Sequence, residues 1–419
     1  MRSKLIAVAI AAGLGITSFT VAAAPAQNRT PSTTGSAEVE LLKAQLATLQ
    51  AKVEELEQRT DAQSDINVST GQAVEQATAV TTASDKKLAS LEKLVNNTRL
   101  SGRMYFDFTS IDQKDSDSGK TDKSGIGLDV KRFYLGVDHK FNDIWSMNLT
   151  TDFNYSSSDG QTSLFVKKAY VQGQFDDAAV LRIGSTDMPW IPFAEQYYGF
   201  RYVENTITDR LKYGNSADWG LHLGGELGAG KAFNYAVSVV NGNGYKNPGR
   251  SKGVDVEGRV GFVPFENMVV AVGGYRGHRG QETENLDAVN TAERGDIMVA
   301  YASDAFRLGA EYFTAKNWNN VLTTATDKAD GYSLWGSVAV ADDVSLFARY
   351  DNAKLSKTLD GASKNVYYNA GVEYQVTKGF KLAGVWKHEK ADKTVGTPVP
   401  PHVRNVKTNE IGVFGEVRF

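Results

Sequence analysis

The sequence contains no cysteine, and this absence excludes several kinds of site at once. Without cysteine there is no disulfide framework, no lipid-anchor residue and no thiolate ligand for a metal ion. Histidine is also scarce, and none of the five histidines has the spacing of a metal site or a catalytic triad. We therefore predict no catalytic residue, no cofactor and no metal centre, and the protein is not expected to be an enzyme.

Long apolar runs and an excess of basic residues are missing as well. Beyond the N-terminal segment no stretch of about 18 consecutive apolar residues occurs, which argues against a transmembrane helix. The formal net charge of −3 gives no reason to expect a nucleic-acid partner. A chain of this kind can enter a membrane only by closing alternating strands into a barrel.

The N-terminus has the composition of an export signal. Arg2 and Lys4 precede an apolar stretch from Leu5 to Ile16, and small residues stand at Ala24 and Ala26. A short apolar region with a basic start and a small-residue cleavage site is typical of a secretory signal peptide. We predict a signal peptide over residues 1–26, with cleavage after Ala26.

A heptad pattern follows a polar linker that runs from residue 27 to about 37. Apolar residues occupy the a and d positions of three heptads without error; they are Val39, Leu42, Leu46, Leu49, Val53 and Leu56. In parallel neighbours Glu38 would meet Lys43, and Lys52 would meet Glu57. The seam turns polar from Thr60 to Ser84 and resumes at Leu88. Residues 27–99 are therefore predicted to be a linker and a periplasmic coiled coil. A solitary amphipathic helix packed on another surface is the alternative.

From Leu100 onward the apolar residues recur with a period of two, which indicates strands. Short turns are predicted near 140–144, 176–179, 228–231, 264–267, 303–305, 341–343 and 377–379. Longer polar loops are predicted between them, the first near 110–124 and the eighth near 390–408. This alternation predicts an all-β domain over residues 100–419, a sixteen-stranded antiparallel transmembrane β-barrel with an N-terminal α-helical coiled-coil stalk. A soluble β-sandwich is the alternative.

The C-terminal strand ends on Phe419, with Ile411, Val413 and Val417 on the same face. This ending resembles the assembly signal of outer-membrane β-barrels. It predicts a multi-pass barrel in the outer membrane of a Gram-negative cell, recognised through Phe419 by the barrel assembly machinery. Outer-membrane lipid and lipopolysaccharide are expected partners, and the stalk would lie near peptidoglycan.

The third loop, about Met188 to Ser216, is the longest and combines aromatic and basic residues. Its aromatic residues include Trp190, Tyr197, Tyr198 and Tyr202, and its basic residues are Arg201, Arg210 and Lys212. A wide barrel has an aqueous lumen, and a long loop can fold inward to narrow it. We predict a pore constriction formed by these residues, helped by the wall residues Arg103, Arg132 and Arg349. An external cap is the alternative.

Short motifs within residues 100–419 resemble the phosphate-selective porin O/P family. They are Leu181-Arg182-Ile183-Gly184 with Pro189 and Pro192, Tyr235-Ala236-Val237, Asn241-Gly242-Asn243-Gly244, Arg259 with Pro264, and Glu311-Tyr312. The resemblance implies a homotrimeric channel with an inward third loop that passes small anionic solutes such as phosphate or polyphosphate.

Charge is where the sequence departs from that family, because both signs occur among the predicted inward residues. Anion preference would then need local clustering of bases, which the sequence does not display. A sugar or general diffusion porin is therefore one alternative. A structural outer-membrane anchor, built from stalk and barrel, is an alternative of another class.

Overall fold

The computed structural model describes residues 35–156, 161–396 and 401–419. The predicted signal peptide and most of the predicted linker lie outside these ranges. The chain divides after Leu88 into two compact units.

The first unit is dominated by one helix, α1, over Gly35–Asn97. This stretch contains no proline, so nothing interrupts its backbone hydrogen bonds. The apolar seam residues of the heptads, from Val39 to Val95, are between 50% and 69% exposed in the single chain. No helix in the described part of the chain is long and apolar enough to cross a membrane.

The second unit is a closed antiparallel barrel, as the alternation predicts. Its strands are β1 Thr98–Asp115, β2 Gly119–Lys120, β3 Gly125–Lys140, β4 Trp145–Ser156, β5 Gln161–Asp176, β6 Ala179–Asp187, β7 Ala217–Leu227, β8 Phe233–Val240, β9 Asp255–Phe262, β10 Met268–Gly277, β11 Ala292–Ala302, β12 Phe306–Lys316, β13 Lys328–Ala341, β14 Val344–Lys354, β15 Lys364–Thr377, β16 Phe380–Val395 and β17 His402–Arg418. Of these seventeen, the two-residue β2 only pairs beside β1, so sixteen strands form the wall. The pairing of β1 with β17 closes it.

The seven short turns lie where the sequence predicts them, but two long loops are shorter than predicted. Strand β1 continues to Asp115, and β16 and β17 extend to Val395 and from His402. The prediction of a loop over 390–408 is therefore wrong. Beyond the membrane both faces of a strand can be wet, so the apolar half of the alternation disappears although the backbone pairing continues.

Side chains alternate between the lumen and the outer surface, as in β12, where Gly309, Glu311, Phe313 and Ala315 are buried and their neighbours are exposed. Three register shifts lie beside short turns, and two bulges interrupt the alternation in the middle of strands. One lies between β1 and β3, and the other between β4 and β5. Because a bulge adds one residue to one strand, it can turn two consecutive side chains to the same face.

Candidate functional site

The third loop joins β6 to β7 and contains two short helices, α2 (Ile191–Tyr198) and α3 (Ile207–Arg210). Proline in the first turn of α2 favours its start, and Gly199 ends it with a φ of 81°, a conformation that suits glycine. Trp190, Ile191 and Tyr202 are at most 1% exposed. The loop therefore packs against the inner face of the wall instead of standing in solvent.

Hydrogen bonds from loop aromatics hold this packing in place. The backbone N–H of Trp190 donates to Glu257 at 2.9 Å, and its indole N–H donates to Glu311 at 2.8 Å. The hydroxyl of Tyr202 donates to Glu373 at 2.6 Å. These acceptors belong to β9, β12 and β15, so the loop crosses the lumen and is fixed to several strands.

Two arginines fasten the second half of the loop. Arg210, on the loop, binds Asp351 at 2.9 Å and Glu389 at 2.7 Å. Arg349, on the wall, binds Asp351 at 2.7 Å and donates to the backbone carbonyl of Asn205. Both guanidinium groups are nearly fully buried, so they attach the loop to the wall and do not line an aqueous path.

The acidic residues of the wall behind the loop are removed from water. Four of them, on β9, β11, β12 and β14, are at most 6% exposed; they are Glu257, Asp296, Glu311 and Asp351. Arg294 is ion-paired with Glu257 at 3.2 Å and with Asp296 at 2.8 Å. Glu257, Asp296 and Asp351 are thus buried and paired with arginine, which limits their contribution to the potential in the open lumen. Glu311 instead accepts a hydrogen bond from the indole N–H of Trp190.

The opposite side of the loop faces a cavity of about 740 Å³. Eight basic residues line it, namely Arg99, Arg103, Lys167, Lys168, Arg201, Arg307, Lys381 and Arg418, together with the acidic residues Asp187, Glu195 and Glu416. Each of the three acids is ion-paired with a lining base. The cavity thus has an excess of five positive charges, which is the difference of the two sets.

Two bulges explain why consecutive basic residues can face the lumen. At the first, Lys131 and Arg132 are consecutive and both contact inward carboxylates, Asp107 at 2.9 Å and Asp152 at 3.0 Å. At the second, Lys167 and Lys168 are consecutive and both line the cavity. A strictly alternating strand would turn one residue of each pair to lipid.

Toward the end of the barrel that bears the long loops, the basic surface continues through Lys246 of the fourth loop. Burial lowers the pKa of Lys246, and the nearby positive charges of Arg132 and Lys212 lower it further. Lys212 itself is exposed, and it lies where the third loop turns with a φ of 64°. Lys246, Arg132 and Lys212 lie close enough together to repel one another, which indicates a positive electrostatic potential in this region.

One carboxylate of the third loop, Glu204, interacts with bases on two strands of the wall. Burial opposes ionisation of Glu204, but Lys387 and Lys131 outweigh it and lower the pKa of Glu204 to about 2. The ammonium of Lys387 lies 3.5 Å from this carboxylate. Glu204 is therefore ionised at neutral pH and helps to hold the loop between β3 and β16.

The residues of the predicted constriction fall into two groups. Arg103, Arg132, Arg201 and Lys212 lie on the basic side of the loop, whereas Arg210 and Arg349 lie among the buried acids. Among the aromatics, Trp190, Tyr198 and Tyr202 are at most 2% exposed, and Tyr197 is partly exposed. The sequence reasoning missed Lys131, Lys167, Lys168 and Lys246. The alternation of apolar and polar residues does not predict that these lysines face the lumen, because bulges turn Lys131, Lys167 and Lys168 inward.

Within residues 35–156, 161–396 and 401–419 no group of three or more histidine, aspartate or glutamate side chains could hold a metal ion. The chain matches the family model described as phosphate-selective porin O and P over residues 98–194. That segment contains β1 to β6, both bulges and the beginning of the third loop. No curated protein matches the chain.

Several solved porins share the fold at low sequence identity. An anion-selective porin from Comamonas acidovorans aligns at 15% identity with a TM-score of 0.54, covering 77% of this chain and 99% of the porin. The trimer form of OmpT from Vibrio cholerae aligns at 13% identity with a TM-score of 0.51, covering 77% of this chain and 99% of OmpT. OmpF of Salmonella typhi, in complex with daunomycin, aligns at 12% identity with a TM-score of 0.51, covering 77% of this chain and 98% of OmpF. The barrel therefore has the fold of outer-membrane porins, and its first part, residues 98–194, is similar to the phosphate-selective porin O and P family.

Proposed function

We propose that this porin is a passive channel that prefers small anions, of the phosphate or polyphosphate type, and that the third loop creates this preference. The observation that carries the proposal is the separation of charge across the loop. Acids of β9 to β14 are buried behind it, and the cavity in front of it is lined by bases of β1, β5, β12, β16 and β17 and by Arg201 of the loop itself. A narrow passage with low-dielectric walls concentrates such a field, so a few unpaired charges outweigh a neutral average.

The same geometry disfavours the sugar channel. Stacking on pyranose rings would need aromatic faces open to the lumen, but Trp190 and Tyr198 pack against the wall, and Tyr202, which borders the cavity, is only 1% exposed. The face of Phe193 is covered by the Arg259 guanidinium, 3.5 Å from the ring centroid. The aromatic residues of the loop therefore serve as packing and leave its charged residues to meet the solute.

A planar-bilayer recording of the purified porin tests this proposal. In a tenfold KCl gradient we expect a zero-current potential of the sign given by faster chloride movement, and added phosphate should reduce the chloride current. A potential near zero, or one of the opposite sign, would contradict anion preference and favour the general diffusion pore. A barrel with no conductance at all would favour the structural anchor.

The proposed assembly is a homotrimer in the outer membrane, with α1 as a parallel coiled coil in the periplasm. A trimer is the form in which OmpT of Vibrio cholerae is described. The apolar seam of α1 supports association, because every seam residue is at least half exposed in one chain and gains burial only against a partner helix. We further propose that residues 1–26 are the cleaved signal and that barrel assembly depends on Phe419.

A further inference from the structure

Five consecutive wall strands repeat one outward pattern at the end that bears the long loops. On each strand from β12 to β16 an outward aromatic residue is followed, four residues nearer the loop, by a lysine; the pairs are Tyr312 and Lys316, Tyr332 and Lys328, Tyr350 and Lys354, Tyr368 and Lys364, and Trp386 and Lys390. Four residues of strand span about 13 Å. The aromatics thus mark the membrane interface and the lysines lie at the level of lipid head groups.

Four of these lysines, here called the lysine ladder, lie in like-charged cross-strand pairs. Lys316 is directly opposite Lys328, and Lys354 is directly opposite Lys364. Like charges in this position destabilise a sheet unless an anion lies between them. All four side chains are exposed, and in the described part of the chain none of them forms an ion pair.

The carboxylates nearest to the ladder are engaged elsewhere. Glu293 is paired with Arg276 at 3.1 Å, Asp392 with Lys390 at 2.9 Å, and Asp330 with Lys357. Although these three carboxylates lie directly opposite ladder lysines, each is ion-paired with another base, so the seven bases and three acids of this flank leave an excess of four positive charges.

An apolar groove of about 740 Å³ lies on the outer surface directly below the ladder. Small residues leave the space, namely Ala310, Gly336 and Ala348, and Leu308 and Leu334 form its sides. Tyr350 and Tyr368, which belong to the aromatic row, line the same groove. The groove is apolar; it begins at the aromatic row and ends near Met268 and Phe306 beside the short turns, which suits a hydrocarbon chain.

We propose that this flank of the barrel is a binding site for lipopolysaccharide of the outer leaflet. An acyl chain of lipid A occupies the groove, and its phosphate groups lie between the paired lysines of the ladder. Charge complementarity favours a phosphorylated lipid over a second copy of this chain. A protein neighbour would have to bury four unpaired ammonium groups, at a high desolvation cost.

The test is lipid binding to the full-length porin, delipidated in detergent and followed by native mass spectrometry. The probes are diphosphoryl lipid A, dephosphorylated lipid A and inorganic phosphate. The ladder variant changes Lys316, Lys328, Lys354 and Lys364 to Gln. Its control makes the same change at four exposed lysines elsewhere, Lys93, Lys140, Lys231 and Lys378.

We expect the ladder variant to bind diphosphoryl lipid A about tenfold or more weakly, since each lysine near a charged lipid surface contributes measurably. The control variant should bind it as the wild type does, and dephosphorylated lipid A should bind weakly to all. Equal affinity of the ladder and control variants, or equal binding of both lipids, would overturn the proposal. Displacement of the lipid by millimolar inorganic phosphate would show a free-phosphate site instead and would also overturn it.

A second variant tests the groove without touching the charges. A Cβ at Gly336 would meet its neighbours no closer than 3.5 Å, so the backbone there accepts a side chain, and Gly336→Leu places that side chain in the groove. We expect weaker lipid A binding with an intact ladder. If the oligomeric state changes and lipid binding does not, a second copy occupies the groove and the proposal fails. Neither set of residues faces the lumen, so the zero-current potential of the proposed channel should stay unchanged.

Discussion

At the scale of single residues, Arg349 shows how the wall positions the third loop. Its guanidinium contacts Asp351 on the same strand, the Asn205 carbonyl on the loop and the rings of Tyr198 and Tyr367. Asp351 in turn holds Arg210 of the loop. A buried network in which each charge has its partner is stable, but removal of one member leaves a costly unpaired charge.

We expect Arg349→Ala to weaken the attachment of the loop by about 1.5–3 kcal/mol, because Asp351 loses one charged hydrogen-bond partner and keeps Arg210. The single-channel conductance should rise and its noise should increase as the loop leaves the wall. Planar-bilayer recordings measure both quantities. The control Lys212→Ala removes an exposed charge of the same loop, and we expect its conductance noise to equal that of the wild type. An equally quiet Arg349→Ala channel would contradict the attaching role.

Phe419 is the second residue whose surroundings lead to a prediction. Its backbone exchanges two hydrogen bonds of 3.1 Å with Gly102, and a Cβ at Gly102 would lie 2.1 Å from its ring. Gly102→Val should therefore displace the ring that we propose as the assembly signal. Folded barrel in the outer membrane should fall sharply, whereas refolding into detergent should lose only about 1 kcal/mol, less than the burial of one Phe.

The matched control for this change is Gly127→Val on β3, because a Cβ there meets nothing within 4 Å. Band shifts of unheated samples measure the folded fraction in membranes and in detergent. Equal loss in both settings would show that the Phe419 ring only packs, without serving recognition.

At the scale of elements, the sequence predicted the wall strands and short turns well but missed some ends. A period of two is a direct consequence of one lipid-facing and one aqueous face, so it holds wherever the strand lies in the membrane. It failed where β16 and β17 extend beyond the membrane. It also failed at Lys131 and Lys167, where a bulge shifts the register and no residue type announces it.

The interior of the third loop was likewise only partly predictable. Its length and composition indicated an inward path, but the partners of Arg210 and Arg349 depend on which strands meet across the lumen. Those contacts join residues more than 100 positions apart, so no local pattern encodes them. The sequence therefore indicated which loop turns inward, but not that Arg210 of the loop and Arg349 of the wall would be buried and both paired with Asp351.

Helix α1 provides the prediction at this scale. In a peptide of residues 27–99, Leu42→Asp with Leu49→Asp should abolish association, since both leucines occupy d positions of the seam. Leu41→Asp with Thr48→Asp introduces the same charge at positions away from the seam and should leave association intact. Analytical ultracentrifugation at micromolar concentration separates these outcomes. A wild-type peptide that is already monomeric would reduce α1 to a spacer.

At the scale of the whole molecule, the barrel turns a chain of net charge −3 into a channel with a basic interior surface. The third loop covers the acids of one wall, and two bulges add bases to the other. Net charge and average composition therefore do not report the field that a solute meets. The bases of the ladder lie on the outer surface, where we propose that they bind lipid, and they do not face the permeating ion.

The most direct test compares zero-current potentials in a KCl gradient for two variants with the same change of net charge. One changes the lumen bases Lys131, Lys167 and Lys168 to Glu, and the other changes the outward Lys316, Lys328 and Lys354 to Glu. We expect the lumen variant to move the potential toward cation preference, reversing its sign, while the outward variant keeps the wild-type value. Identical potentials for both variants would contradict the claim that the loop and the bulges together create an anion path.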